Sequence, residues 1–333
     1  MLENRRSEVL RALVEEHIRN GEPVSSRSIL EHSSLSVSSA TVRNDLAALE
    51  TEGLVTQPHT SAGRVPTTAG YRYYVDHIGP GQLRAAAQNK IHGLFGEVHL
   101  ELSKLLRATS DLLAEITDLP AVVVAPGVAR DRVRALHTVQ VTNDQLLIVV
   151  ITEGGRVVQQ RGRIRVPVTS LEVEQAQRMV AATVVGSELG AGIDVGEDTL
   201  NEVSDPTREA VLTICDGLHL AATSSTEIFV GGTQRLNTAW QDVESVQRIL
   251  EILEREAEVM KLLAGASGTS IQLGSELENT DVDLAVVSKT YETGSEGGSV
   301  GVIGPMRMNY KRAISAVEEV TKELEDQIVT RHD

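Results

Sequence analysis

Apolar side chains recur at helical spacing in three successive segments near the start of the chain. The first segment, residues 5–20, stops at Asn20-Gly21, and the second begins after Ser25. A serine cluster at residues 36–39 precedes the third segment, which ends at Gly53. The apolar positions of the first and third segments are Val9, Leu10, Leu13, Val14, Ile18, Val42, Leu46 and Leu49. The pattern predicts three short helices in close succession.

After the third segment the pattern becomes that of a hairpin. Residues 54–57 are typical of a strand, residues 59–63 of a turn, and Arg64-Val65 of a short returning strand. Three helices followed by a two-stranded hairpin predict a winged helix-turn-helix domain at residues 1–78. In this fold the third helix enters the DNA major groove, and the hairpin, or wing, touches the neighbouring backbone.

The polar side of the third helix and the wing carry side chains suited to DNA. Hydroxyl groups and helix N-terminal amides bind phosphate oxygens, arginine can read guanine, and asparagine can read adenine. A glycine in the wing allows a close approach to a backbone. The predicted DNA-binding residues are Ser38, Ser39, Thr41, Arg43 and Asn44 on the helix, and His59, Thr60, Ser61, Gly63 and Arg64 on the wing. The alternative is that Arg43 pairs with Asp45 or Glu50 while the serines only cap the helix.

A fourth amphipathic segment leads out of this domain. Its apolar face, which includes Tyr71 and Tyr74, is predicted to pack the winged domain against the rest of the chain. Direct DNA contact by Arg72 is the alternative. A break at residues 79–81 follows, and residues 91–116 then predict one long helix.

The rest of the chain predicts an α+β fold. Strands are expected at residues 121–125, 133–142, 146–152, 157–166, 271–273, 284–289 and 299–303, and a closing helix at residues 313–328. Between residues 167 and 240 the strands give way to helices at 172–189 and 206–221, followed by a strand at 227–232. This block is predicted to be an insertion in the α+β domain.

A heptad-like apolar repeat runs from Val243 to Ala264. It predicts either one helix packed in the core or an intersubunit coiled coil, and the short repeat favours the core helix.

Composition and charge narrow the class of protein. The 333 residues are enough for two or three domains, and with only 2% aromatic residues the cores must be aliphatic. The net charge is −16, from 31 basic and 47 acidic residues. Residues 1–80 hold 8 basic and 10 acidic side chains, so the winged domain is close to neutral. This balance argues against a protein coated along its length by nucleic acid and favours a dimer that reads one specific site.

The sequence lacks the motifs that would indicate another functional class. The single cysteine, Cys215, excludes an intramolecular disulfide framework and a multi-cysteine metal site. Gly231-Gly232 and Gly297-Gly298 lack phosphate-loop spacing, and His99, His137 and His219 have no partner at metal-ligand spacing. Apolar runs reach six residues, far short of a membrane helix. We therefore expect a cytoplasmic protein that is not an enzyme, with no cofactor, no metal and no membrane partner.

Four segments together resemble the HrcA family of heat-inducible transcription repressors. They are residues 40–50, beginning ATVRNDL, residues 59–67, HTSAGRVPT, residues 70–76, GYRYYVD, and residues 304–310, GPMRMNY. The resemblance extends from about residue 5 to 328, and the wing motif is highly specific. The last segment departs from the family pattern at Asn309, where relatives carry an acidic residue.

The resemblance implies a GAF-like α+β domain at residues 83–166 and 241–333, interrupted by a dimerising insertion at 167–240. It also implies a homodimer that represses chaperone operons of the groE and dnaK type by binding double-stranded DNA at an inverted repeat, the CIRCE element. A GroEL-type chaperonin would maintain the active repressor, and heat stress would draw that chaperonin away. The alternative is a winged-helix regulator that senses a small molecule, and an enzyme on the α+β domain is the least favoured reading.

Overall fold

The computed structural model describes residues 4–59, 62–96, 101–193, 195–224, 227–240, 242–263, 268–277, 283–293 and 296–332. The helices are α1 Asn4–Asn20, α2 Ser26–His32, α3 Ser39–Thr51, α4 Thr68–Asp76, α5 Ala85–Phe95, α6 Leu102–Thr117, α7 Ser170–Val184, α8 Glu197–Asn201, α9 Asp205–Ser224, α10 Leu236–Ala239, α11 Val243–Leu253, α12 Glu256–Leu263 and α13 Tyr310–His332. The strands are β1 Val55–Thr56, β2 Val65–Pro66, β3 Ala121–Val124, β4 Val133–Thr142, β5 Gln145–Thr152, β6 Val157–Arg163, β7 Ile228–Gly231, β8 Thr269–Leu273, β9 Ala285–Thr293 and β10 Glu296–Gly304.

Helices α1–α3 and the hairpin β1–β2 form the predicted winged helix-turn-helix, and together with α4, which packs on α1 and β2, they make up what we call the head. The Ser25 hydroxyl accepts a hydrogen bond from the backbone N–H of Ser28 at 3.1 Å, so the start of α2 is capped as predicted. The wing strands pair antiparallel, with Val55 opposite Pro66. The predicted apolar face of α3 is buried against α1. Local capping and helical periodicity are therefore sufficient to define this domain.

The body is built on a five-stranded antiparallel sheet in the order β7-β3-β10-β9-β8. Strand β3 alternates between two cores: Ala121 and Val123 join the cluster with α5, α6 and α13, while Val122 and Val124 join the cluster with α11 and α12. The first of these clusters continues without interruption into the head. Head and body therefore share one apolar core rather than being separated by a solvated linker.

Strands β4–β6 do not belong to the five-stranded sheet. They pair only with one another, in the order β4-β5-β6, and their inward side chains form a separate core with α7 and α9. The predicted boundary at 166/167 is therefore wrong, because it divides this core, and β7, placed in the insertion, is an edge strand of the main sheet. The chain leaves the main sheet after β3 and returns at β7, so the inserted unit comprises β4–β6 and α7–α9.

Two predicted long helices are each divided in two. The helix expected at 91–116 is the pair α5 and α6, and the N–H of Gly96 bonds to the carbonyl of His92 at 2.9 Å where α5 ends. An ion pair between Lys90 of α5 and Glu115 of α6 joins the two helices. The heptad repeat from Val243 is likewise divided, into α11 and α12, so the single helix predicted for it, whether packed in the core or in an intersubunit coiled coil, is wrong.

Asn309 has a structural role of its own. Its side-chain oxygen accepts a hydrogen bond from the backbone N–H of Arg312 at 3.1 Å, which caps the start of α13. Asparagine and aspartate cap helices about equally well. The departure from the family pattern at this position therefore leaves the helix start intact.

Candidate nucleic-acid interface

Helix α3 presents a polar side away from the head's core. Val42, Leu46 and Leu49 are buried, whereas Arg43 and Asn44 are exposed. The first turn of the helix carries its N-terminal backbone N–H groups and the positive end of its dipole. The two exposed side chains come directly after that turn. This end of the helix can therefore bind a phosphate oxygen and hydrogen-bond to a base edge.

The hydroxyl groups at the start of α3 are engaged inside the head. Ser38 caps the helix, accepting from the N–H of Thr41 at 3.2 Å, and its oxygen is 2.9 Å from the Thr41 hydroxyl. The Ser39 hydroxyl is 3.0 Å from that of Ser26. These contacts fix α3 against α2, and each hydroxyl keeps lone pairs or a rotatable hydrogen for a further partner.

Arg43 is not held by either of the carboxylates that the alternative interpretation offered it. Asp45 is bound by Arg5 and Arg6, and Glu50 is bound by Arg64. The contact described for Arg43 is a long one, from its Nε to the Ser26 hydroxyl at 3.4 Å. Its guanidinium is therefore exposed beside Asn44 on the side of α3 that faces solvent.

The wing is attached to the head by its own backbone. The N–H of Val24 bonds to the carbonyl of Arg64 at 2.8 Å, and the N–H of Arg64 bonds back at 2.9 Å. Gly63 lies so close to Val24 that a methyl group on it would overlap the Val24 carbonyl. The structure thus gives Gly63 an intramolecular reason to be glycine, different from the close approach to DNA that we predicted for it.

The other predicted wing residues differ in what the structure describes. His59 is exposed, and Thr60 and Ser61 lie outside the described residues. Arg64 donates from Nε at 3.1 Å and lies with Nη2 at 2.9 Å from the Glu50 carboxylate. Because Glu50 is in the last turn of α3, this ion pair couples the position of the wing to that of the helix.

Sequence reasoning missed the ion pair that fixes the inner side of α3. Asp45 lies between Val42 and Leu46 on the inward face, where a charged residue is costly unless it is paired. That placement was the available signal, since it calls for a cation from another element. Its partner Arg5 is 40 residues away in sequence, so no local pattern identified it.

Outside the head, the described residues include few side chains that could react or bind a metal. Burial, assisted by the neighbouring Asp216, raises the pKa of the Cys215 thiol to about 11, which keeps it protonated. His92, Glu319 and Glu323 form a group with metal-ligand atoms within 4.8 Å of one another, which the sequence analysis did not single out. His92 is exposed, and its Nε2 lies 3.7 Å from a carboxylate oxygen of Glu323 on α13.

Among the described helices we find none with the length and apolar character that crossing a bilayer requires. His137 and His219 are exposed, and His99 lies outside the described residues.

Two family models match separate parts of the chain. The model described as the DeoR-like helix-turn-helix domain matches residues 15–68, and the model described as the HrcA protein C terminal domain matches residues 103–314. The first covers the head from the end of α1 to the start of α4. The second covers most of the body together with the inserted unit.

Full-length relatives are similar to the chain over nearly all of it. Proteins named heat-inducible transcription repressor HrcA are 33% identical in Halalkalibacterium halodurans, covering 97% of both chains, and 35% identical in Nocardia farcinica, covering 99% of this chain and 98% of that one. A crystal structure described as a hypothetical protein at 2.2 Å resolution matches with a TM-score of 0.66 and 23% identity over 99% of each chain. That last likeness shows the fold alone.

Proposed function

The chain belongs to the HrcA family of heat-inducible transcription repressors, and from this premise we propose that it represses chaperone operons by binding a CIRCE-type inverted repeat as a homodimer. Membership confirms the family resemblance seen in the sequence. It also makes the protein a helix-turn-helix transcription repressor and not an enzyme. The operator, the dimer, the chaperonin and the cytoplasmic location belong to the proposal.

The observation that carries the proposal is the exposed polar side of α3. Arg43 and Asn44 offer guanine and adenine recognition at the N-terminal half of a helix whose opposite side is buried. We assign phosphate contacts to the hydroxyl groups at the helix start, which are those of Ser38, Ser39 and Thr41. We assign backbone or minor-groove contacts to the wing residues His59, Thr60, Ser61, Gly63 and Arg64.

The inserted unit supplies a surface for the dimer. Helices α7 and α9 cover one face of the three-stranded sheet, and the opposite face has Leu147, Val149 and Ile151 along its central strand. Val139 lies opposite Leu147 and Val157 opposite Ile151, and these two valines are 52% and 48% exposed. His137 and Gln159 lie opposite Val149 on the same face, so the exposed apolar side chains are interspersed with polar ones, as is usual at an interaction site. A twofold pairing across it would present two heads to the two halves of a palindrome.

In this proposal the response to heat depends on the chaperonin. A GroEL-type chaperonin would maintain the binding-competent repressor, and proteins unfolded by heat would occupy that chaperonin, so repression would lapse. The shared apolar core of head and body supports this, because partial unfolding of either would expose surface of the other. Repressor and chaperonin would meet in the cytoplasm, where the operator DNA also lies.

The test is a gel-shift titration of a CIRCE-type duplex with protein kept cool, protein taken through a heat step, and protein heated with chaperonin and ATP. We expect tight binding, loss on heating and recovery with the chaperonin. Full affinity after heating without chaperonin would contradict the chaperonin step alone. No binding by unheated protein would contradict the proposed operator.

One observation favours small-molecule sensing as a second candidate function. Arg156 is buried where the inserted unit meets the main sheet, with Nη1 3.1 Å from the Gly127 carbonyl and 3.5 Å from Asp131. Its Nε and Nη2 have no hydrogen-bond partner among the described residues. A ligand carboxylate or phosphate would satisfy that edge. A melting shift with acetate or inorganic phosphate, absent in Arg156→Gln, would favour this candidate, and no shift would remove it.

A further inference from the structure

We propose that Arg72 and Glu276 are positioning residues that set the orientation of the head on the body, and thereby the half-site spacing that the dimer accepts. The inference rests on the proposed function, because half-site spacing has meaning only for a dimer on an inverted repeat. It assigns Arg72 to the body, in place of the DNA contact considered from the sequence.

Arg72 is bound by the body at two groups. Its Nε donates to a carboxylate oxygen of Glu276 at 2.8 Å, and its Nη2 contacts the other oxygen of the same group. Nη2 also donates to the carbonyl of Ile271 in β8 at 2.8 Å. A two-point contact between a planar guanidinium and a carboxylate fixes orientation as well as distance.

Glu276 is itself held in place. It ends a 3₁₀ turn that follows β8 directly, and its carboxylate accepts a hydrogen bond from the backbone N–H of Leu273 at 3.0 Å. The edge strand of the main sheet therefore carries the anchor. Because Arg72 lies on α4, which continues from the wing strand β2, the anchor acts at the point where the chain leaves the DNA-binding module.

Two further contacts join head and body. Lys311 of α13 donates to the Glu15 carboxylate of α1 at 2.6 Å. The ring of Tyr310 packs against those of Tyr71 and Tyr74, with centroid distances of 6.2 and 6.4 Å. Apolar and ring contacts supply attraction with little directional preference, whereas the charged hydrogen bonds select one orientation.

Helices α1 and α4 dock the head, and this leaves α3 free to read DNA. Arg43 and Asn44 are exposed while Tyr71 and Tyr74 are buried in the contact with the body. In a twofold dimer the orientation of each head on its body determines how far apart the two α3 helices lie. Half-sites one helical turn or a multiple apart are then read only if both helices reach the groove together.

The experiment measures affinity for a set of CIRCE-type duplexes whose spacer is native or changed by one or two base pairs. The proteins are the full-length wild type, Arg72→Gln, Glu276→Gln and the charge exchange Arg72→Glu with Glu276→Arg. Arg255→Gln is the control, because its ion pair with Glu258 is exposed on the body. We expect the wild type and the control to prefer the native spacer, the single variants to lose about tenfold of that preference, and the exchange to recover part of it.

Three results would overturn the assignment. They are single variants that keep the wild-type spacing preference, that lose affinity equally on every spacer, or that bind every duplex more tightly than the wild type does. The second result would make the contact merely structural, and the third would make it inhibitory. A wild type that binds all spacers alike would contradict the proposed function as well, so the two failures are distinguishable.

Discussion

Arg5 and Asp45 form a two-point ion pair that joins α1 to α3 in the head. The Arg5 Nε is 2.8 Å from one carboxylate oxygen of Asp45, and its Nη2 is 2.9 Å from the other. The Asp45 side chain is only 4% exposed, and Arg6 approaches it from the same helix at 3.9 Å. This ion pair thus attaches the inner side of α3 to α1, while the opposite side of α3 carries the exposed Arg43 and Asn44.

Removing the charge of Asp45 should destabilise the head. Asp45→Asn keeps the shape of the side chain but removes the negative charge that faces Arg5 and Arg6. We expect a loss of about 2 kcal/mol in the free energy of unfolding, the usual range for a charged hydrogen-bonded contact. Urea denaturation followed by circular dichroism measures it. Glu31→Gln, which breaks the exposed Arg27–Glu31 pair, is the matched control and should change nothing measurable. Equal effects of the two substitutions would contradict this role.

The same ion pair predicts a pH dependence. The hydrogen bond from Arg5 lowers the pKa of Asp45 below its ordinary value, against the opposing effect of burial. The contribution of a group with a depressed pKa is complete above its unfolded pKa, about 3.9 for Asp, and is lost as the pH falls through the folded value. The stability difference between wild type and Asp45→Asn should therefore be constant from neutral pH to about pH 5 and shrink below pH 4. A difference that grows on acidification would show the opposite sign of coupling.

Shortening the exposed side chains of α3 should weaken operator binding without unfolding the head. Arg43→Ala and Asn44→Ala each remove an exposed side chain, so stability should hold while the affinity falls by about 2 kcal/mol, or roughly thirtyfold. Fluorescence anisotropy with a labelled CIRCE-type duplex measures the affinity. Arg248→Ala, on α11 of the body, removes a partly exposed arginine of the same charge and should bind as the wild type does. Similar losses in all three variants would indicate a non-specific charge effect.

A charge on the open sheet face should separate the dimer. Val149→Lys places an ammonium group at the centre of the open face of the β4–β6 sheet, between His137 and Gln159, where pairing would bury it. Sedimentation velocity should show a monomer that still melts cooperatively. Val243→Lys, at an exposed position on the body, is the control and should remain dimeric. A dimeric Val149→Lys protein would place the interface elsewhere.

Local sequence signals were sufficient for the head but not for the partners of its buried charge. Helix starts at Ser25 and Ser38 and the stop at Gly53 are encoded within a few residues, so α1–α3 and the wing could be predicted from the sequence alone. The pairing of Asp45 with Arg5, and of Arg72 with Glu276, joins residues distant in the chain. Nothing in a single sequence identifies such partners.

The sequence also could not show which strands belong to the same sheet. Alternation in β4–β6 shows which side chains face a core, but the same alternation fits any antiparallel sheet. The strand pattern stops at 166/167 and predicts a boundary there, although the core extends from Val128 to Ala221. The division between α11 and α12 at residues 254 and 255 also gave no signal, because neither Gly nor Pro occurs there.

The central claim is that two copies of α3 read the two halves of an inverted repeat. The most direct measurement compares the affinity and stoichiometry of the full-length protein on a CIRCE-type duplex and on the same duplex with one half-site scrambled. The account predicts one dimer per intact duplex and an affinity at least about tenfold weaker once a half-site is lost. Equal affinity for the two duplexes would contradict it.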